Sequence, residues 1–144
     1  MSMSLQAEAG VLREGGHFLP QRVYYEDTDF SGFVYHASYL RFLERGRTEM
    51  LRALDVHQGE IHAGAAPFVF VVRAMQIDFL KPARMDDVVV VETRAKEIGG
   101  ASMILSQKLL RGAETLVTAD VRVAVVAGGR PARLPKDIRA KLAG

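Results

Sequence analysis

The stretch from Glu26 to His36 holds the densest set of chemically capable side chains in this 144-residue sequence. Glu26, Asp27 and Asp29 place three carboxylates within four positions, and Ser31, Gly32, Tyr35 and His36 follow. Carboxylates so crowded must diverge or share protons. From His36 onward the pattern turns helical, so Asp29 stands just ahead of a helix start. Unpaired N–H groups and the positive end of the helix dipole make an anion site there. A carboxylate beside such donors suits acyl transfer, in which a carbonyl oxygen gains negative charge on attack. The same spacing also fits an Asx-turn at Asp29, with Asp27 or Ser31 capping local backbone. A metal site on Asp-Thr-Asp is disfavoured, because the glycine loop and distal Glu of a calcium loop are missing.

The elements that must position this stretch follow from periodicity. Tyr39, Leu40, Leu43, Gly46, Met50, Leu51 and Leu54 recur at spacings of three and four. They predict a helix over 36–54 with one apolar face. Gly46 on that face costs about 1 kcal/mol against alanine, which predicts that a sheet packs closely there. Residues 17–26 read as a first strand, preceded by a loose leader over 1–16. After a Gly/Ala/His-rich connection over 55–67, four strand-like runs cover 68–80, 87–97, 101–111 and 115–127. A short helix begins near Lys136. The expectation is one α+β domain over 17–144, in which a curved antiparallel sheet, a four-stranded meander plus the first strand, wraps a long central helix.

Composition narrows the function classes. A hydrophobic fraction of 49% supplies a core, and the absence of cysteine removes disulfides, thiolate metal sites and a Cys nucleophile. The net charge of +2 is mild and the arginines are dispersed, which argues against a nucleic-acid partner. No run approaches the ~20 apolar residues of a transmembrane segment, so the chain reads as soluble and cytoplasmic. His57 and His62 lack further ligands for zinc. No Gly-x-Ser-x-Gly elbow marks a serine hydrolase.

The run Arg22-Val23-Tyr24-Tyr25-Glu26-Asp27-Thr28-Asp29, with Gly32, Val34-Tyr35-His36 and Tyr39-Leu40, resembles the signature of the 4-hydroxybenzoyl-CoA thioesterase group of hotdog-fold enzymes. It looks most like the bacterial acyl-CoA thioesterases associated with the Tol-Pal envelope system. The likeness continues through Glu44, Arg47 and Glu49, Asp78-Phe79-Leu80-Lys81-Pro82-Ala83, and Leu134-Pro135-Lys136-Asp137-Ile138. It implies a hotdog fold and hydrolysis of an acyl-CoA or acyl carrier protein thioester. Asp29 would be the catalytic carboxylate, as nucleophile or as base for water, and the His36 N–H would polarise the thioester oxygen. Tyr25, Gly32, Val34 and Tyr35 would line the substrate pocket, and Lys81 and Arg84 would hold coenzyme A phosphates. The departure is at Gly99-Gly100, where some relatives carry basic residues. No metal or redox cofactor is implied. Pairing into a homodimer or homotetramer, with active sites at the dimer interface, is implied.

Rival readings weigh less. Glu44 and Glu49 are available to a branch that uses a helix glutamate, but helix ion pairing accounts for them. His17 precedes the first strand, far from any helix carboxylate. A binding module without catalysis on the same scaffold is the alternative from another class.

Overall fold

The computed structural model describes residues 3–144. One seven-stranded antiparallel sheet runs in the order β1-β2-β4-β5-β6-β3, with β7 paired to β6. The strands are β1 (Val11–Arg13), β2 (Gly16–Arg22), β3 (Val69–Phe79), β4 (Val88–Ile98), β5 (Ser102–Arg111), β6 (Glu114–Ala127) and β7 (Arg130–Pro131). Helix α1 (His36–Ala53) packs on the inner face, and α2 (Gln58–Ala63) and α3 (Lys136–Ala143) are shorter.

The four long strands do not form the simple meander expected. Strands β4, β5 and β6 do, joined by short glycine-bearing turns, but β3 pairs on the far side of β6. The link between β3 and β4 is too long and too proline-constrained for a tight hairpin. It crosses over the end of the sheet instead. Leu80 and Lys81 both donate to Leu116 O, and Ala83 N donates to Tyr39 Oη at 2.9 Å. That crossover therefore lies against the start of α1.

Helix α1 buries Ser38, Tyr39, Phe42, Leu43, Gly46, Met50 and Leu51. Phe42 replaces Leu40 in the expected stripe: Phe42 is fully buried, whereas Leu40 is 43% exposed. The helical period explains the exchange, because i+3 from Tyr39 stays on its face and i+1 turns away. Gly46 meets the sheet as anticipated. A Cβ there would lie 2.4 Å from Val91 Cγ1 and 3.1 Å from Thr93 Oγ1.

A buried polar cluster fixes the same contact. Gln107 Nε2 donates to Leu43 O at 2.9 Å and to Thr93 Oγ1 at 3.0 Å, and its Oε1 accepts from Arg47 Nη1 at 3.0 Å. Each polar group is thus satisfied where helix and sheet touch. Two local features were absent from the expectation. Val11–Arg13, within the stretch read as a loose leader, pairs with β2, and the first strand ends at Arg22. Residues 58–63 form α2 within the 55–67 connection.

Replacing Gly46 by Ala tests the close approach. Helix propensity alone favours Ala by about 1 kcal/mol, whereas overpacking a filled core costs about 1–3 kcal/mol. The expected result in urea unfolding is a net loss of about 1–2 kcal/mol; a gain would show that helix and sheet do not press together there.

Candidate active site

The chain between β2 and α1 first makes a one-turn 3₁₀ helix, Tyr25–Asp27, and then a tight loop. Asp27 is buried, and its Oδ2 accepts from Tyr24 N at 2.9 Å. This carboxylate caps local backbone, one of the two uses open to it on sequence. The loop closes where Tyr35 N donates to Asp27 O at 2.9 Å and Thr28 bridges Val34. At its tip Asp29 N donates to Phe33 O and Gly32 N donates to Asp29 O, each at 3.0 Å. Gly32 adopts φ +84, a left-handed conformation that favours glycine.

Asp29 is exposed, and one of its oxygens does double duty. Oδ1 accepts from Ser31 Oγ at 2.5 Å and from Ser31 N at 2.8 Å. The Ser31 hydroxyl, then the Ser31 amide, hold the Asp29 carboxyl below its ordinary value. Hydrogen bonds to a charged form favour that form, so Asp29 is ionised at neutral pH. Oδ2 makes no hydrogen bond among the described residues and is free to act. The Asx-turn weighed from sequence is therefore present, and it orients the carboxylate rather than consuming it.

Helix α1 begins beside this loop with its donors open. Tyr35 is its N-cap without a side-chain cap, and the first turn carries no acid. Among the described residues, no acceptor engages the His36 N–H. An uncapped helix start leaves partial positive charge on exactly such amides. Asp29, Ser31, Phe33, Val34, His36, Tyr39, Phe79, Leu80, Lys81 and Pro82 line a cleft of about 290 Å³. Carboxylate and open helix end thus share one cavity.

The other expected site residues divide. Val34 and Lys81 line the cleft, and Gly32 turns the loop that shapes it. The His36 ring lies 4.9 Å from the Phe79 ring and makes no hydrogen bond to Asp29. Tyr25 is 81% exposed and Tyr35 is 53% exposed, and neither lines the cleft within one chain. The Arg84 guanidinium stacks 5.0 Å from the Phe33 ring centroid. It borders a neighbouring recess with Lys81, Pro82, Asp87, Arg111 and Glu114. There Arg111 pairs with Asp87 at 2.8 Å and Lys81 with Glu114 at 3.1 Å.

Several cleft residues were not singled out from sequence. Phe79, Leu80 and Pro82 arrive by the crossover after β3, and Tyr39 by the buried face of α1. The only advance signal for the first three was their place in the Asp78-to-Ala83 motif. At Gly99-Gly100 the chain brings arginines from elsewhere: Arg139 donates to Gly99 O and Ile98 O, and Arg133 lies against Gly100.

Residues 31–118 match the Thioesterase superfamily. The chain is 43% identical over 129 residues to the acyl-CoA thioesterase YbgC of Haemophilus influenzae, covering 88% of this chain and 94% of that protein. A probable thioesterase from Bartonella henselae superposes with a TM-score of 0.81 at 43% identity, covering 83% of this chain and 99% of that one. A 4-hydroxybenzoyl CoA thioesterase mutant complexed with 4-hydroxybenzoyl CoA superposes with a TM-score of 0.82 at 18% identity, which speaks for the fold alone. With helix on sheet, an open helix end and these likenesses together, the chain belongs to the thioesterase superfamily and carries its hotdog fold.

Proposed function

We propose that this protein hydrolyses acyl-CoA thioesters, with Asp29 as the catalytic carboxylate and the His36 N–H as the oxyanion donor. The observation that carries this reading is the pairing, in one cleft, of an ionised carboxylate held by Ser31 and an uncapped helix start. Attack at the thioester carbon, by Asp29 itself or by a water that Asp29 deprotonates, moves an electron pair onto the carbonyl oxygen. The amide at the helix start meets that charge as it develops. Collapse of the intermediate expels the thiolate and leaves the free acid; in the direct route, water then opens the mixed anhydride. A binding module would have no need of a carboxylate kept ionised in this position.

Arg84, stacked on the cleft wall and without an ion pair among the described residues, is the phosphate ligand we assign to coenzyme A, with Lys81 beside it. Arginine's planar fork suits phosphate oxygens. Val34 and the Gly32 turn shape the pocket near the thioester, and Tyr25 and Tyr35, exposed in one chain, are available to substrate or to a second copy. An acyl carrier protein is the other donor this cleft mouth admits. The site of action we assign is the cytoplasm, where coenzyme A thioesters are made; no described helix is long and apolar enough to cross a membrane.

The working unit we infer is a homodimer, or a tetramer of such dimers. Strand β3 is the last of the sheet, eleven residues long, and its outer edge is unpaired. Val69, Val71, Val72 and Phe79 on it are all exposed. A long apolar edge is a template for strand pairing, and a second copy offers a matching one.

Two outcomes are expected. Asp29→Asn lowers kcat on an acyl-CoA panel by about 10²–10⁴-fold with the fold intact, measured by thiol release; an unchanged rate removes Asp29 from the mechanism. The second concerns pH. A depressed carboxyl pKa means that the active, ionised form is present above it and is lost as pH falls through it. The acid limb of kcat/KM therefore lies below about pH 4. Ser31→Ala removes the hydroxyl that favours the anion and moves this limb to higher pH; a limb that stays put contradicts the Ser31 assignment.

A further inference from the structure

A second cavity, of about 280 Å³, opens between α1, α2 and the sheet. It is lined by Leu51, Phe70, Met103, Leu105 and Val123, and by the polar Arg47 and Glu44. At the ~30 Å³ that a water occupies in the liquid, this volume has room for about nine non-hydrogen atoms. The catalytic cleft does not use it. Arg47 donates to Gln107 Oε1 at 3.0 Å and forms no ion pair among the described residues. A guanidinium carries five N–H donors, so most of them remain for an occupant of the cavity. Gln107, itself buried and tied to Leu43 O and Thr93, fixes the fork in place.

The two cavities stand at opposite ends of β3. Phe70 and Val72 line this one, and Phe79 lines the Asp29 cleft. At about 3.3 Å per residue the ends are up to about 30 Å apart, so a short acyl group cannot reach both within one chain. Antiparallel pairing of β3 with β3 of a second copy exchanges the ends. The cavity of each copy then meets the Asp29 cleft of the other.

We propose that the Arg47 cavity of one copy receives the acyl group of a thioester held at Asp29 of the other, and that Arg47 selects acyl groups bearing an uncharged oxygen, such as a hydroxyl, over plain alkyl groups. The apolar walls take the chain, and the guanidinium donates to the oxygen. Glu44, in the same cavity, repels a carboxylate at that place. This inference rests on the catalytic reading and the pairing of copies given above, and it adds a specificity-determining residue and a substrate class.

The test compares hydroxybutanoyl- and hydroxyhexanoyl-CoA, with the hydroxyl at successive carbons, against butanoyl- and hexanoyl-CoA. The wild type is expected to favour at least one hydroxyacyl group by roughly tenfold or more in kcat/KM. Arg47→Met brings that ratio near unity, and Arg47→Lys, which keeps charge without the fork, falls between; the Lys variant carries the test if the Met variant does not fold. A ratio that survives both substitutions overturns the proposal. Chains carrying Asp29→Asn and chains carrying Arg47→Met are then co-expressed. Shared sites restore about a quarter of the wild-type hydroxyacyl rate, because half of the dimers are mixed and each has one intact site. No restoration overturns the exchange of cavities between copies. If Asp29→Asn alone keeps the wild-type rate, the catalytic assignment falls, and the Arg47 ratio is still read on chains with Asp29 intact.

Discussion

The close approach of α1 to the sheet at Gly46 is the contact on which the rest depends. Without a side chain there, Val91 and Thr93 come against the helix backbone, and Gln107 reaches a helix carbonyl. A filled Gly46 position would push the helix outward. That would displace its first turn, the His36 amide and the crossover tied to Tyr39. The core therefore does more than exclude water: it sets where the helix begins relative to the loop that carries Asp29. Site geometry is a consequence of packing several turns away.

At that start, structure and electrostatics agree. The helix has neither a side-chain cap nor an acid in its first turn, which is a local cost in stability. Such a cost is consistent with a site kept open for a ligand's negative charge. Asp29 complements it from the loop, ionised through its bonds to Ser31 and with its second oxygen free. The buried Asp27 nearby takes the structural work of closing the turn. Two aspartates one residue apart thus divide the roles that sequence alone left open between them.

Much of this was legible in the sequence, because strong periodicity and turn chemistry are local signals. The span of α1, the hairpins at Gly99-Gly100 and Gly112-Ala113, and the helix from Lys136 all follow from residue order. So does the meaning of Gly46, since a glycine on an apolar helix face has few other uses. Pairing across distance was less legible. The place of β3 beyond β6, and so the delivery of Phe79 to Pro82 to the cleft, depends on a crossover that no local pattern announces. The exposure of Tyr25 and Tyr35 was equally hidden, because an aromatic in a motif reads alike whether it faces a pocket, solvent or a second copy. Phe42 was the one miss that period alone should have caught.

The central claim is that the carbonyl oxygen of the substrate is held by the amide where α1 begins. A crystal structure with an acyl-CoA analogue in which a methylene replaces the thioester sulfur tests it most directly. The account predicts that the ketone oxygen lies about 3 Å from the His36 nitrogen, with the unpaired Asp29 oxygen facing the carbonyl carbon. A ketone oxygen bound elsewhere, with the His36 amide facing only solvent, would contradict it.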